Sequence, residues 1–175
     1  TEWDRFVACA KNATFMFRRD YMDYHADRFE DYSLIVRSGA QILGLLPACL
    51  CRDVVVSHAG LTYGGFVLPR DGNLLAAIEV VHTVLLHLEA QGIKQLVYKR
   101  MPSFYNTLPD GEIDYVLFLL EARLTRRDCS LVIAAADRLP VSRGRRSKIN
   151  KGRRAGLSLV EEPGFGRFWK EVLEP

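Results

Sequence analysis

The sequence is poor in the residues that most often announce a chemistry. It holds four cysteines and four histidines in 175 residues. Cys9, Cys49, Cys51 and Cys129 form no Cys-x-x-Cys pair, and no histidine stands at metal-ligand spacing from any of them. A zinc knuckle and a redox dithiol are therefore excluded, and no metal site is expected. His82 and His87 are five apart, which misses the i, i+4 spacing of a two-histidine helix site. Long hydrophobic runs are absent too. The longest apolar-rich stretch, Leu74 to Leu88, is interrupted by Glu79, His82 and His87, so no membrane-spanning helix is expected. What remains is an ordinary globular composition, 49% hydrophobic and 26% charged. It suffices for one good-sized domain, or one domain and the start of another. Free thiols without a metal motif point to a cytoplasmic chain.

Negative charge is missing from one segment only. Residues 143 to 154 carry Arg143, Arg145, Arg146, Lys148, Lys151, Arg153 and Arg154 with no acidic residue, so the net charge of +3 is a local property. Such a run is commonly a solvated helix face. It could also meet nucleic acid or anionic lipid. No aromatic residue lies between Ala135 and Phe165 to stack on bases, and Ile149 is the run's only large apolar residue.

The rest of the chain alternates strand and helix patterns. A short helix is expected from Trp3 to Lys11, and a second, partly exposed one near Arg18–His25. Strands are expected at Ser33–Arg37 and Gln41–Cys51, joined by a Ser38-Gly39 turn. Cys49 and Cys51, two apart on a strand, should share a face as buried small side chains. The spacing predicts a helix from Leu74 to Gln91, with Leu74, Leu75, Ile78, Val81, Leu85 and Leu88 as its apolar stripe and Gly92 as its stop. A strand Lys94–Arg100, a helix Asp110–Leu120 and a strand Cys129–Ala135 follow. After Leu139-Pro140-Val141 come a basic helix, a strand Leu157–Glu161 and a helix from Phe165. The fold class is α/β (α+β): a mixed, mostly antiparallel sheet covered by helices. Residues 1–140 make one domain, and 141–175 read as the opening of a second.

Ser57 to Pro69 stands out from this pattern. It reads as a strand, yet carries Gly60, Gly64, Gly65, His58, Thr62 and Tyr63 where a core strand would carry valine and leucine. Glycine within a strand marks a bulge or a close approach by a ligand or another backbone. The expected substrate-binding wall is Tyr63, Gly64 and Gly65, joined by Arg100 and Tyr105 at the end of a later strand. An arginine there could grip a phosphate or carboxylate in bidentate fashion. His58 and His25, on strand or loop segments, are the candidate catalytic bases.

Asp23–Leu34, Gly44–Ala48, Ser57–Gly65, Leu124–Asp128 and the basic run Arg145–Gly152 followed by Gly156-Leu157 together resemble FemAB-like proteins of the GNAT (N-acetyltransferase-like) superfamily. The resemblance runs over nearly the whole chain and rests on the order and spacing of these segments. It implies a tandem of two GNAT-like domains that moves an acyl or aminoacyl group onto an amine, often on an amino-sugar or cell-envelope precursor in bacteria. It further implies that acyl-CoA or aminoacyl-tRNA serves as donor in the second domain, so nucleic acid enters only as that tRNA. Arg145, Arg146 and Lys148 would then face a phosphorylated ligand. The superfamily's pyrophosphate loop, Arg/Gln-x-x-Gly-x-Gly/Ala, is approached only by Arg153–Ser158, which misses its last position. The chain therefore reads as the acceptor-side part, inactive alone. The alternative is a non-catalytic GNAT-like module that binds an anionic ligand or a partner protein.

Overall fold

A hairpin and a short mixed sheet carry the first part of the chain. The structure is a computed structural model and describes residues 1–161 and 164–174. It divides into two units, Thr1–Thr125 and Arg126–Pro175.

In the first unit, α1 (Glu2–Cys9) is started by a capping box: the Thr1 side chain accepts from the Asp4 N–H while Asp4 reaches back to Thr1. A single turn at Phe15–Phe17 leads into α2 (Arg19–Asp23). Strands β2 (Leu34–Ser38) and β3 (Gln41–Leu46) form an antiparallel hairpin whose turn uses the left-handed φ of Gly39. The four-stranded sheet runs β1 (Glu30–Asp31), β4 (Cys49–Cys51), β5 (Val54–Val56), β6 (Gln95–Val97). Its β1–β4 and β4–β5 pairs are antiparallel, and β5–β6 is parallel. The parallel pair needs a crossover, which α3 (Leu74–Ala90) supplies. The unit is thus a mixed α+β structure with a mostly antiparallel sheet and covering helices.

The strand expected over Gln41–Cys51 is two strands in two sheets. Pro47 cannot donate to a ladder, and the Ala48 N–H turns instead to Ser33 Oγ at 3.2 Å. The Cys pair also differs from expectation: Cys49 is buried, whereas Cys51 ends β4 beside the Arg52 turn and is exposed. Helix α3 starts where expected, with Asn73 Oδ1 accepting the Ala76 N–H at 3.0 Å, and stops at Gly92 with φ +73°. Its buried stripe is Ala77, Val80, Val81, Val84 and Leu88. Leu75, expected inside, is 76% exposed. Ala77 is fully buried, and Gly44 of β3 lies against Val80 so closely that an added Cβ would sit 2.8 Å from its methyl.

One core cluster joins these α3 residues to Val36, Leu46, Val55, Phe66, Leu68, Ile113 and Val116, the last two from α4 (Glu112–Leu119). A second joins Trp3, Val7, Phe17, Met22, Leu45, Leu61, Tyr63, Val67 and Met101.

In the second unit, the basic segment forms α5 (Arg143–Arg154), opened by Ser142, whose Oγ accepts the Arg145 N–H at 3.4 Å. The expected strands Cys129–Ala135 and Leu157–Glu161 are not formed. A strand needs a neighbour for its N–H and C=O groups, and neither segment has one among the described residues. The final helix is one turn, α6 (Gly166–Phe168), running into a wider turn at Trp169–Leu173. None of the described residues of this unit is buried.

Candidate functional site: an aromatic depression backed by two histidines

The glycine-marked segment is not a strand beyond Val56. From Ser57 to Leu68 it is a loop, and nine of these twelve residues are buried, with Thr62 exposed and Ala59 and Gly60 partly covered. It touches neighbouring strands at two points, Gly64 beside Arg100 and Val67 beside Leu45. The space next to its glycines is already taken. A Cβ on Gly64 would lie 1.9 Å from the Ser57 carbonyl oxygen, and one on Gly65, where φ is +106°, would lie 2.5 Å from Tyr98 Oη. The close approach that the sequence signals is therefore made by the protein's own backbone and by Tyr98.

Tyr63 is buried as well. Its ring meets Phe17 edge-on at 5.9 Å and Tyr105 at 5.3 Å, and its hydroxyl is 2.9 Å from Thr14 Oγ1. Burial raises its pKa above the ordinary tyrosine value. Tyr105 is half-exposed and packs on Phe104 at 4.6 Å.

Arg100 is occupied. Its Nε and Nη2 donate to the two carboxylate oxygens of Asp114 at 2.6 and 2.8 Å, and Nη2 also reaches the Asp110 carbonyl at 2.7 Å. Two carboxylates already answer the bidentate fork that the sequence offers to a ligand anion. Asp110 itself is buried, and burial raises its carboxyl above the usual range against the pull of Asn12, Arg100 and Lys11.

His25 and His58, expected as alternatives, come together. Their ring centroids are 6.1 Å apart, and Phe29 packs against both at 6.3 Å. His58 is 3% exposed, holds a left-handed φ of +56°, and its Nδ1 is enclosed without a hydrogen-bond partner. A non-glycine residue at positive φ next to an orphan nitrogen is a strained arrangement of the kind that clusters at functional sites. His25 is half-buried, and Arg28 Nη2 donates to its Nδ1 at 2.6 Å. Because a guanidinium can only donate, Nδ1 is the acceptor and the ring proton sits on Nε2.

Beside His25, across the Tyr21 and Tyr24 rings, lies a surface concavity. Tyr24 and Tyr21 pack edge-on against the His25 ring at 5.1 and 6.0 Å, and Phe15 meets Tyr21 at 5.2 Å. Phe15, Arg18, Asp20, Tyr21 and Tyr24 line an open depression of ≈ 620 Å³. Three exposed aromatic faces with one charge of each sign suit a ligand with an apolar or ring face and polar groups at its edge. Sequence reasoning named Tyr21 and Tyr24 only as parts of an exposed helix. The available signal was the density of aromatics in Phe15–Tyr24, which α2 turns to one side.

Burial, followed by the neighbouring His25 and opposed by Asp31, lowers the His58 pKa from 6.5 to about 4. The unfolded chain therefore binds this proton more tightly than the folded one. Stability should be complete above about pH 6.5, decline as the pH falls from there towards 4, and be flat below, a total of about 3 kcal/mol. His58→Asn, which tolerates the left-handed backbone, should abolish that slope in urea titrations between pH 6.5 and 4. An unchanged slope in the variant would place the titration on another group.

Lys99 and the Lys11–Asn12 pair are functional-looking residues that the sequence did not flag. Lys99 Nζ donates to the Leu61 carbonyl and its N–H to Ser57 Oγ at 2.7 Å, fixing the loop that holds His58. The Lys11 N–H donates to the Leu68 carbonyl at 3.2 Å and Asn12 Nδ2 to the Phe66 carbonyl at 2.9 Å, which holds the opposite end of the same loop.

Of the expected anion-binding trio, Arg146 is grouped with different residues. Arg143, Arg146, Ser147, Asn150, Lys151 and Arg154 line one shallow face of α5, ≈ 460 Å³, and Arg145 and Lys148 lie off it. Among the described residues no cluster of three or more His, Cys, Asp or Glu could hold a metal ion, and no helix is long and apolar enough to cross a membrane. No protein-family model, curated protein or solved structure matches the chain.

Proposed function

We propose that the chain is the acceptor-side part of an acyl- or aminoacyltransferase of the FemAB-like GNAT type, acting on an amino-sugar or cell-envelope precursor. The observation that carries this reading is the aromatic depression with the His25–His58 pair behind it. The mixed, mostly antiparallel sheet with its helical crossover supports it at the level of fold. In this reading the donor, acyl-CoA or aminoacyl-tRNA, is bound by a second GNAT-like domain.

The chemistry asks for two things from these residues. The acceptor's ring stacks on Tyr21 and Tyr24, which orients it. Its ammonium loses a proton before attacking the donor carbonyl, and a nearby neutral imidazole takes that proton. His58 is held neutral by burial but is too weakly basic to be an efficient acceptor, so it serves as a positioning residue. His25 is the base once Arg28 turns away and frees Nδ1, the one ring nitrogen with a lone pair to take the proton.

The double variant Tyr21→Ala/Tyr24→Ala should weaken binding of amino-sugar nucleotides at least about tenfold by calorimetry. Its melting temperature should hardly move, because both rings are exposed. Equal affinity would remove the depression from the reading. Acyl-CoA consumption with these acceptors, assayed on the longest native form of the protein, tests the reaction itself. Absence of turnover by folded protein with any donor would decide for the second reading, a binding module for an anionic ligand, which the concentrated positive charge of α5 favours.

A further inference from the structure

We propose that α5 is a docking surface for the phosphate backbone of double-stranded DNA, independent of base sequence. The resemblance implies that this run faces a phosphorylated donor or acceptor, and the residues by themselves read as a solvated helix face. The structure redirects it in three ways.

The first is shape. A small phosphate ligand needs a concave cradle, and α5 is an exposed rod on which no described residue is buried. Arg143, Arg146, Lys151 and Arg154, with Ser147 and Asn150 between them, line a stripe along its face. The stripe is about 17 Å long at 1.5 Å per residue. All six are side chains of the types that contact phosphate oxygens, and none is acidic.

The second is circumference. At about 100° per residue, the seven cations leave no gap wider than about 80° around the helix. A flat anionic membrane would meet only one side of such a rod. A rod about 10–12 Å across fits the B-form major groove, about 12 Å wide, with phosphates on both walls. The deep, narrow major groove of A-form RNA does not admit it.

The third is what the helix lacks. No ion pair is formed by any of the seven cations among the described residues, and no acidic side chain lies on the helix. No aromatic residue lies between Ala135 and Phe165 to stack unpaired bases. Single strands are therefore poorer partners than a duplex.

Anisotropy of a labelled 20-base-pair DNA duplex, titrated with the 175-residue chain, tests this. Seven phosphate contacts predict a slope of log K against log salt of about −6.3, which is about a 6,000-fold loss between 50 and 200 mM. Arg143→Gln/Arg146→Gln/Arg154→Gln should reduce the slope to about −3.6, and glutamine keeps the helix formed. Arg5→Gln/Arg70→Gln/Arg123→Gln removes the same charge from the first unit and should leave the slope unchanged. A-form RNA duplex should bind more weakly than DNA. The proposal is overturned by no binding up to about 100 μM at 50 mM salt, a slope shallower than −2, or equal loss in both triple variants. It is equally overturned by RNA duplex binding as tightly as DNA, or by phosphatidylserine vesicles binding more tightly than either.

Discussion

Gly64→Ala should cost the first unit at least about 4 kcal/mol and lower its melting temperature by more than about 10 °C. The added methyl would sit 1.9 Å from the Ser57 carbonyl oxygen, far inside contact distance, and the obstacle is backbone. Neither partner can retreat. Ser57 is tied to the strand opposite by its N–H to the Val97 carbonyl at 2.9 Å, and its Oγ accepts the Lys99 N–H at 2.7 Å. The Gly64 N–H is bonded to the Lys99 carbonyl at 2.9 Å. Relief requires parting the loop from the extension of β6, which breaks buried hydrogen bonds whose groups then lack partners. Thermal unfolding followed by circular dichroism measures the effect. A shift under about 5 °C would mean that the loop and strand slide past each other at little cost.

Asn12→Ala should destabilise the unit by about 3–5 kcal/mol, the second largest effect. One buried amide makes three bonds: Nδ2 donates to the Phe66 carbonyl at 2.9 Å and to Asp110 Oδ2 at 2.7 Å, and Oδ1 accepts the Leu68 N–H at 2.8 Å. Alanine strands two backbone groups and leaves Asp110 Oδ2 only the 3.4 Å bond from Arg100 Nη1, while its other oxygen, Oδ1, already lacks a partner. Asn12→Asp keeps the acceptor for Leu68 but sets two carboxyls against each other, so it should not rescue. Urea unfolding of both variants checks this. A rescue by aspartate would show that the Leu68 bond alone carries the site.

Local patterns in the sequence were legible where one face of an element is wet and the other dry. The hairpin turn at Gly39 and the limits of α3 follow from the residues at its ends. The buried side of α3 did not, because leucines occur around much of its circumference and the choice fell to close fits such as Gly44 against Val80. Ser57–Leu68 was legible as a place of close backbone approach, but not what approaches. At Gly64 it is the loop's own Ser57 carbonyl, and at Gly65 it is Tyr98, which, like the Lys99 that ties down Ser57, carries no local signature. The expected site scattered for the same reason. Arg100 reads as a free guanidinium until Asp110 and Asp114 are brought beside it. His25 and His58 read as rivals until the fold sets their rings together.

The bond from Lys11 Nζ to Glu112 Oε1 spans 101 positions of the chain, and Asn12 to Asp110 nearly as many. During synthesis, α1 and the hairpin leave the ribosome long before their partners exist. At about 5–20 residues per second, the stretch that closes the unit emerges about 5–20 s after Lys11. Through that interval the Lys11 ammonium and the second Asn12 N–H lack their carboxylate partners, and the loop that Asn12 fastens is held only by its bonds at Phe66 and Leu68. The unit therefore cannot lock in stages from its N-terminus. It commits in one late step, when α4 arrives, and a nascent chain stalled before residue 110 should stay open to protease along Phe66–Leu68.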